Sequence, residues 1–304
     1  MPGFRSSLFR VWIHLFRSVF MNDYLPLKYR RFVMSNVLPL LSPKVPGVSY
    51  EEVEVSGIPS EWLIPQDARA SDVVLYFHGG GYDLGSIASH RALAAQIGVA
   101  AGARVLIVDY RLAPENKFPA AVEDAVASYR WLLSQGYNAG NIVLAGDSSG
   151  GGMAAAALVY LRDSGDPMPA GALLLSPHVD LEMTGDSLKT VAWRDPMVRV
   201  GPLRKEIASY LGAADPRDPL ASPIYADLKG LPPLYIQVGT VEVVLDDSRR
   251  LAERARADQV SVELDIWDGM FHVWQAYSPL LAEGKQAIQA LGKFARGRML
   301  TAAE

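Results

Sequence analysis

Residues 141–161 read NIVLAGDSSGGGMAAAALVYL, and their pattern changes character twice. Residues 141–146 form a short, nearly continuous apolar run, the expected pattern of a strand covered on both faces of a parallel sheet. From Ser149 onward the chain is alanine-rich and helix-compatible up to about residue 163. Between the two lies Gly146-Asp147-Ser148-Ser149-Gly150, which fits G-x-S-x-G, the strand–turn–helix element that presents a serine nucleophile at the carboxyl end of a sheet. Glycines two residues before and two after the serine leave room for the strained turn. The helix N-terminus behind it favours developing negative charge. The competing reading, a phosphate-binding turn, lacks both a G-x-G-x-x-G pattern and a P-loop lysine.

Outward from this element, short β-rich runs alternate with helix-length segments, which predicts an α/β fold with a mostly parallel sheet and helices on both faces. Strands are expected near 50–55, 60–65, 72–78, 103–109, 141–146, 171–176, 234–239 and 261–267, and helices near 89–101, 119–134, 149–163 and 246–258. The first two strands are close enough in sequence to pair antiparallel at an edge. From Asp180 to about Asp215 no strand pattern occurs, so this stretch is expected to be an insertion that covers one end of the sheet together with residues 1–45. The expected organisation is residues 1–45 as the N-terminal part of a cap, 46–179 and 216–304 as the two parts of a catalytic core, and 180–215 as the cap insertion. Asp195-Pro196-Met197 is expected to begin a cap helix. Trp193, Met197 and Tyr210 are expected either to line a pocket or to fill the cap's own core.

His78-Gly79-Gly80-Gly81 ends the strand DVVLYF. Three consecutive glycines weaken a strand end, so their use points to backbone amides that must be approached without side chains. The N–H groups of Gly80 and Gly81, with that of Ser149, are candidate donors to the oxyanion of an acyl-transfer intermediate, each worth about 3 kcal/mol. His78 and Gly79 are expected to support that loop. A serine needs a general base within hydrogen-bond reach. Of five histidines, His272 in WDGMFH follows the last strand and precedes the last helix, at the same sheet end as Ser148. His178 precedes the acid-bearing strand and is expected at most to line the pocket. The third member should leave the strand at 234–239, where Glu242, Asp246 and Asp247 are available; Glu242 sits in the turn itself and is preferred, with Asp246 the alternative. Asp246 and Asp247 also suit a helix N-terminus or pairing toward Arg249 and Arg250. Asp109, Arg111 and Glu115 are read as a charge network bracing the loop beneath the glycines.

Composition bounds the remaining classes. The 304-residue chain is half hydrophobic and a fifth charged, with 29 basic against 33 acidic side chains, a formal net charge of −4 and no cysteine. A chain of this size buries a full core without staples. The absence of cysteine excludes disulfides, a thiol nucleophile and thiolate metal sites, and it fits a reducing, cytoplasmic setting. Mild acidity argues against a nucleic-acid partner. The N-terminal stretch FRSSLFRVWIHLFRSVF is interrupted by Arg5, Arg10, His14 and Arg17, so it is read neither as a signal peptide nor as an integral membrane segment. Its Leu8, Val11, Trp12, Leu15, Phe16, Val19 and Phe20 suit an amphipathic helix docked on the body, with attachment to a membrane surface the alternative.

The segments HGGGY at 78–82, DYRLAPENKFPAAVED at 109–124, GDSSGGG at 146–152 and WDGMFHVW at 267–274 together resemble the bacterial hormone-sensitive-lipase-like esterases of the α/β-hydrolase superfamily. The resemblance covers the chain from about residue 45 onward. It implies an eight-stranded core with a helical cap, and hydrolysis of short- to medium-chain acyl esters with Ser148 as nucleophile, His272 as base and Gly80, Gly81 and Ser149 as oxyanion donors, without metal or cofactor. Many members of that family carry Asp-Pro-Leu where this chain has Glu242-Val243-Val244, so the acid here would be glutamate, with about 1.5 Å of extra reach. Lactone hydrolysis by the same machinery is the nearest alternative, and a non-catalytic small-molecule receptor is a more distant one. The edge of the last strand, SVELDIW, is the expected surface of a homodimer.

Overall fold

A computed structural model describes residues 13–15, 19, 25–41 and 44–299. Eight strands form one sheet: β1 (Val48–Val55), β2 (Ile58–Pro65), β3 (Arg69–Phe77), β4 (Ala103–Val108), β5 (Ile142–Asp147), β6 (Gly171–Leu175), β7 (Leu234–Gly239) and β8 (Val262–Trp267). Their spatial order is β1-β2-β4-β3-β5-β6-β7-β8. β1 pairs antiparallel with β2, and β2 antiparallel with β4; every later pairing is parallel. The expected mostly parallel α/β sheet is therefore present, with the antiparallel pair at one edge and β8 at the other.

The apolar runs are explained by burial on both faces. Val73, Leu75 and Phe77 of β3 join one core, while Val74 and Tyr76 join the other. The first core is covered by α3 (Ala120–Ser134), α4 (Ser149–Asp163) and α6 (Leu245–Ala257), and the second by α2 (Ile87–Ala101) and α7 (Ala282–Arg298). Each large apolar side chain so covered contributes roughly 1.5–3 kcal/mol. α2 starts where Ser86 and Ser89 form a reciprocal capping box, and it ends at Gly102, whose φ is +61°.

The 58-residue stretch between β6 and β7 contains a short helix at Ser187–Thr190 and α5 (Val200–Leu211). Asp195-Pro196-Met197 does not begin this helix, contrary to expectation. The Asp195 carboxylate instead accepts from the N–H groups of Met197 and Val198 at 2.8 and 2.9 Å, folding these residues into a turn, so that α5 starts at Val200. Tyr210 is buried and stacks on Tyr82 with ring centroids 3.8 Å apart, which makes it core; Trp193 is 82 % exposed. Near the N-terminus, α1 (Leu27–Phe32) is fastened to the body by Arg31, which donates to the carbonyls of Asp83 and Ala113 and to the Glu115 carboxylate. Of the apolar face expected further upstream, Leu15 and Val19 are exposed, and Ile13 is the buried residue, packed with Met270, Phe271 and Trp274. Leu8, Val11, Trp12, Phe16 and Phe20 lie outside the described residues. Among the described residues no helix is long and apolar enough to cross a membrane.

Candidate active site

Ser148 occupies the turn between β5 and α4 with φ +54° and ψ −121°, a backbone state that L-residues seldom adopt and that persists only where surroundings impose it. Gly150 permits that turn: a Cβ here would strike the Phe77 carbonyl and come within 2.7 Å of the His78 carbonyl oxygen. The neighbouring corner after β6 holds the turn from outside, because the Ser148 N–H donates to the Leu175 carbonyl at 2.9 Å and the Ser148 carbonyl accepts from the His178 N–H at 3.0 Å.

His272, in the loop after β8, sets its Nε2 2.8 Å from Ser148 Oγ and its Nδ1 2.8 Å from Glu242 Oε2. This arrangement suits the tautomer in which Nδ1–H donates to the carboxylate and Nε2 accepts from the serine. Burial works against the imidazolium, but the hydrogen bond and charge of Glu242 outweigh it and raise the His272 pKa. Glu242 is fully buried, and that burial raises its own pKa against the lowering influence of His272. Its second oxygen accepts from the Gly239 N–H at 2.6 Å and from the Ser176 hydroxyl at 2.9 Å.

Asp246 and Asp247 do different work, both in the first turn of α6. Asp246 accepts from the Ser187 N–H at 2.7 Å and sits 3.5 Å from Arg249. Asp247 accepts from the N–H groups of Val179 and Asp180, and it is Asp180, not Asp247, that pairs with Arg250 at 2.7 Å. Burial first, and the Asp180 charge second, push Asp247 up to about 8. Both aspartates thus tie the β6–β7 insertion to the acid-bearing turn.

The glycine loop lies across the elbow. Gly80 has φ +127°, where a Cβ would meet the Leu84 carbonyl at 2.5 Å, and Gly81 has φ +64°. Gly80, Gly81, Ser148, His178 and His272 line one cavity of about 800 Å³. Met34 and Leu38 from the N-terminal segment, Leu93 and Ala276 from the core, and Met197 and Leu203 from the insertion complete much of its apolar wall. Ser149 is buried at the start of α4, and its Oγ accepts from the Tyr82 N–H at 3.4 Å. His78 is buried and stacks on Tyr110, whose hydroxyl donates to the His78 carbonyl at 2.7 Å; burial, with the nearby His90 adding to it, pushes His78 down to about 3, so it is neutral. His178 is likewise pushed down to about 4 by burial and by the nearby His272.

Several supports escaped sequence reasoning. Asp147, the x of G-x-S-x-G, has a buried carboxylate that accepts from the Gly79 N–H at 3.0 Å and from Tyr76 Oη at 2.6 Å, and lies 3.3 Å from His90 Nε2. It thereby fastens the glycine loop to the elbow. Asp147 was visible as an acid at an otherwise apolar strand end; Tyr76 and His90 carried no signal of their own. Asp109, Arg111 and Glu115 do not form the single charge network expected; each has a different partner. Asp109 accepts from the Ile87 N–H, Arg111 pairs with Asp124, and Glu115 pairs with Arg31. Among the described residues no group of three or more His, Asp or Glu side chains is placed to hold a metal ion.

Comparisons with known proteins agree with this architecture. Residues 74–276 match the family described as alpha/beta hydrolase fold. The chain is 50 % identical over 246 residues to an acetyl-hydrolase of Streptomyces hygroscopicus, covering 80 % of this chain and 81 % of the relative. It is 36 % identical over 256 residues to an esterase of Acinetobacter venetianus, covering 84 % of each. The crystal structure of an esterase from the bacterial hormone-sensitive lipase family superposes with a TM-score of 0.94 at 45 % identity, covering 99 % of this chain and all of the other. The chain therefore belongs to the α/β-hydrolase fold family and, within it, to the bacterial hormone-sensitive-lipase family of carboxylic ester hydrolases.

Proposed function

We propose that the chain is a serine carboxylesterase acting on short- to medium-chain acyl esters through an acyl-enzyme, with Ser148 as nucleophile, His272 as general base and Glu242 as its orienting acid. The observation that carries this reading is the continuous pair of 2.8 Å contacts from Ser148 Oγ through the His272 ring to Glu242, at the wall of a largely apolar cavity. In the first half-reaction the Ser148 Oγ–H proton passes to His272 Nε2 as Oγ bonds to the acyl carbon. The carbonyl electron pair moves onto oxygen, which accepts from the amides of Gly80, Gly81 and Ser149. The imidazolium then gives its proton to the alcohol oxygen as that bond breaks. Water repeats the sequence on the acyl-enzyme and releases the acid. Glu242 stabilises the imidazolium without taking the proton.

Residues 1–45 and 180–215 act as the cap, since side chains from both segments wall the cavity. The unpaired outer edge of β8 is the surface for a homodimer. A monomeric mass by light scattering at micromolar concentration overturns that assembly. The cysteine-free composition suits a cytoplasmic enzyme, and recovery of activity in another cell fraction would count against that placement. The function itself is tested on p-nitrophenyl esters from acetate to palmitate with wild type, Ser148→Ala and Glu242→Ala. Turnover highest on short chains and lost in both variants is the expected result. Turnover retained in Ser148→Ala removes the serine mechanism.

A further inference from the structure

The corner after β6, residues 175–178, touches all three turns that carry the proposed triad. It holds the backbone of Ser148 from both sides through Leu175 and His178, as described above. Its Ser176 side chain bonds both of the other two turns. That residue is fully buried and has φ +46°, a left-handed conformation for a residue other than glycine. Its hydroxyl donates to Glu242 Oε1 at 2.9 Å and accepts from the N–H of Val273, the residue next to His272, at 3.2 Å. Val273 is itself left-handed, with φ +52° and ψ +42°, a costly state for a β-branched side chain. Two strained residues thus meet in a single hydrogen bond, and strain of this kind persists only where surroundings hold it in place.

We infer that Ser176 is a positioning residue for the esterase reaction: its hydroxyl locks the Glu242 carboxylate and the His272 loop into mutual register. The inference rests on the Ser148-His272-Glu242 reading and adds a member that does not touch substrate. It also accounts for glutamate at position 242. The carboxylate must reach His272 with one oxygen while the other bonds both the Gly239 N–H and the Ser176 hydroxyl. A hydroxyl that donates to one partner and accepts from the other is suited to this place; alanine and glycine supply neither bond.

The experiment compares Ser176→Ala and Ser176→Gly with wild type on p-nitrophenyl butyrate, with Ser148→Ala as control, and repeats Ser176→Ala in a Glu242→Ala background. Glycine fits the left-handed backbone at no steric cost, so Ser176→Gly separates loss of the hydroxyl from failure to fold. The expected result is a 10- to 50-fold fall in kcat in both single variants with KM within about twofold. In the Glu242→Ala background the further loss should shrink below about twofold, because the hydroxyl has no carboxylate left to hold. Wild-type kcat in either Ser176 variant, or an undiminished loss in the Glu242→Ala background, overturns the inference. Turnover retained in Ser148→Ala instead removes the reading beneath it.

Discussion

Shortening the acid by one methylene is a sharp test of the Glu242 geometry. In Glu242→Asp the carboxylate withdraws by about 1.5 Å. The 2.8 Å contact to His272 Nδ1 then opens beyond hydrogen-bonding range, or the carboxylate keeps His272 and abandons the Gly239 N–H and Ser176 hydroxyl at 2.6 and 2.9 Å. All these bonds involve a buried charged group, each worth about 1.5–3 kcal/mol. At 1.36 kcal/mol per tenfold in rate, losing one lowers kcat by about 10- to 150-fold. KM should stay within about twofold to threefold, since Glu242 is buried behind His272 and does not line the cavity. Removing the carboxylate in Glu242→Ala leaves the imidazolium unpaired and should cost far more, about 10⁴-fold in kcat. Both variants are assayed as kcat and KM on p-nitrophenyl butyrate, with circular dichroism to confirm folding. Wild-type kcat in Glu242→Asp, joined to a large loss in Asp246→Asn or Asp247→Asn, would move the acid to α6 and refute the argument.

Four further outcomes follow from the same geometry. Because Glu242 raises the His272 pKa above 6.5, and only the neutral ring accepts the serine proton, kcat/KM should rise with pH through an inflection above 6.5; an inflection near 5 contradicts it. Asp247 holds its proton more tightly folded, up to about 8, than at the ordinary 3.8, so its contribution to stability is full below about pH 4 and fades as pH rises through 8. Asp247→Asn should therefore flatten the fall in Tm between pH 6 and 9, and an unchanged slope would count against this. Gly150→Ala drives a Cβ into the Phe77 and His78 carbonyls; it should cost about 1–3 kcal/mol in denaturant unfolding and lower kcat as the glycine loop shifts. Arg31→Ala removes two backbone contacts at 2.6 and 2.8 Å that fasten α1, so trypsin should cut the N-terminal segment faster and KM should rise more for hexanoate than for acetate.

The strand–turn–helix at 142–163 and the glycine loop were legible from local pattern, and so were Ser148, Glu242 and His272 as candidates, which the structure brings into contact. Each rests on a constraint a few residues long: apolar runs for buried strands, paired glycines for a positive-φ turn, an acid in the turn after β7. The start of the insertion's helix was not legible, because Asp195 is held by a turn that also binds the Val243 N–H at 3.0 Å, across the chain. The burial of Ile13 was missed for a similar reason: it packs with Met270, Phe271 and Trp274, contacts that helical spacing alone does not register.

The sequence by itself determined the fold class and singled out Ser148 and His272 as the candidate nucleophile and base, since those readings depend on short-range periodicity and on backbone freedom at named glycines. Tertiary structure decided which of three acids faces His272, that Asp147 ties the glycine loop to the elbow, and that Ser176 joins two turns distant in sequence. A carboxylate's role follows from what surrounds its oxygens. Two of the three partners of the Glu242 oxygens, His272 and Ser176, lie 30 and 66 residues away in sequence, and only folding brings them within hydrogen-bond reach.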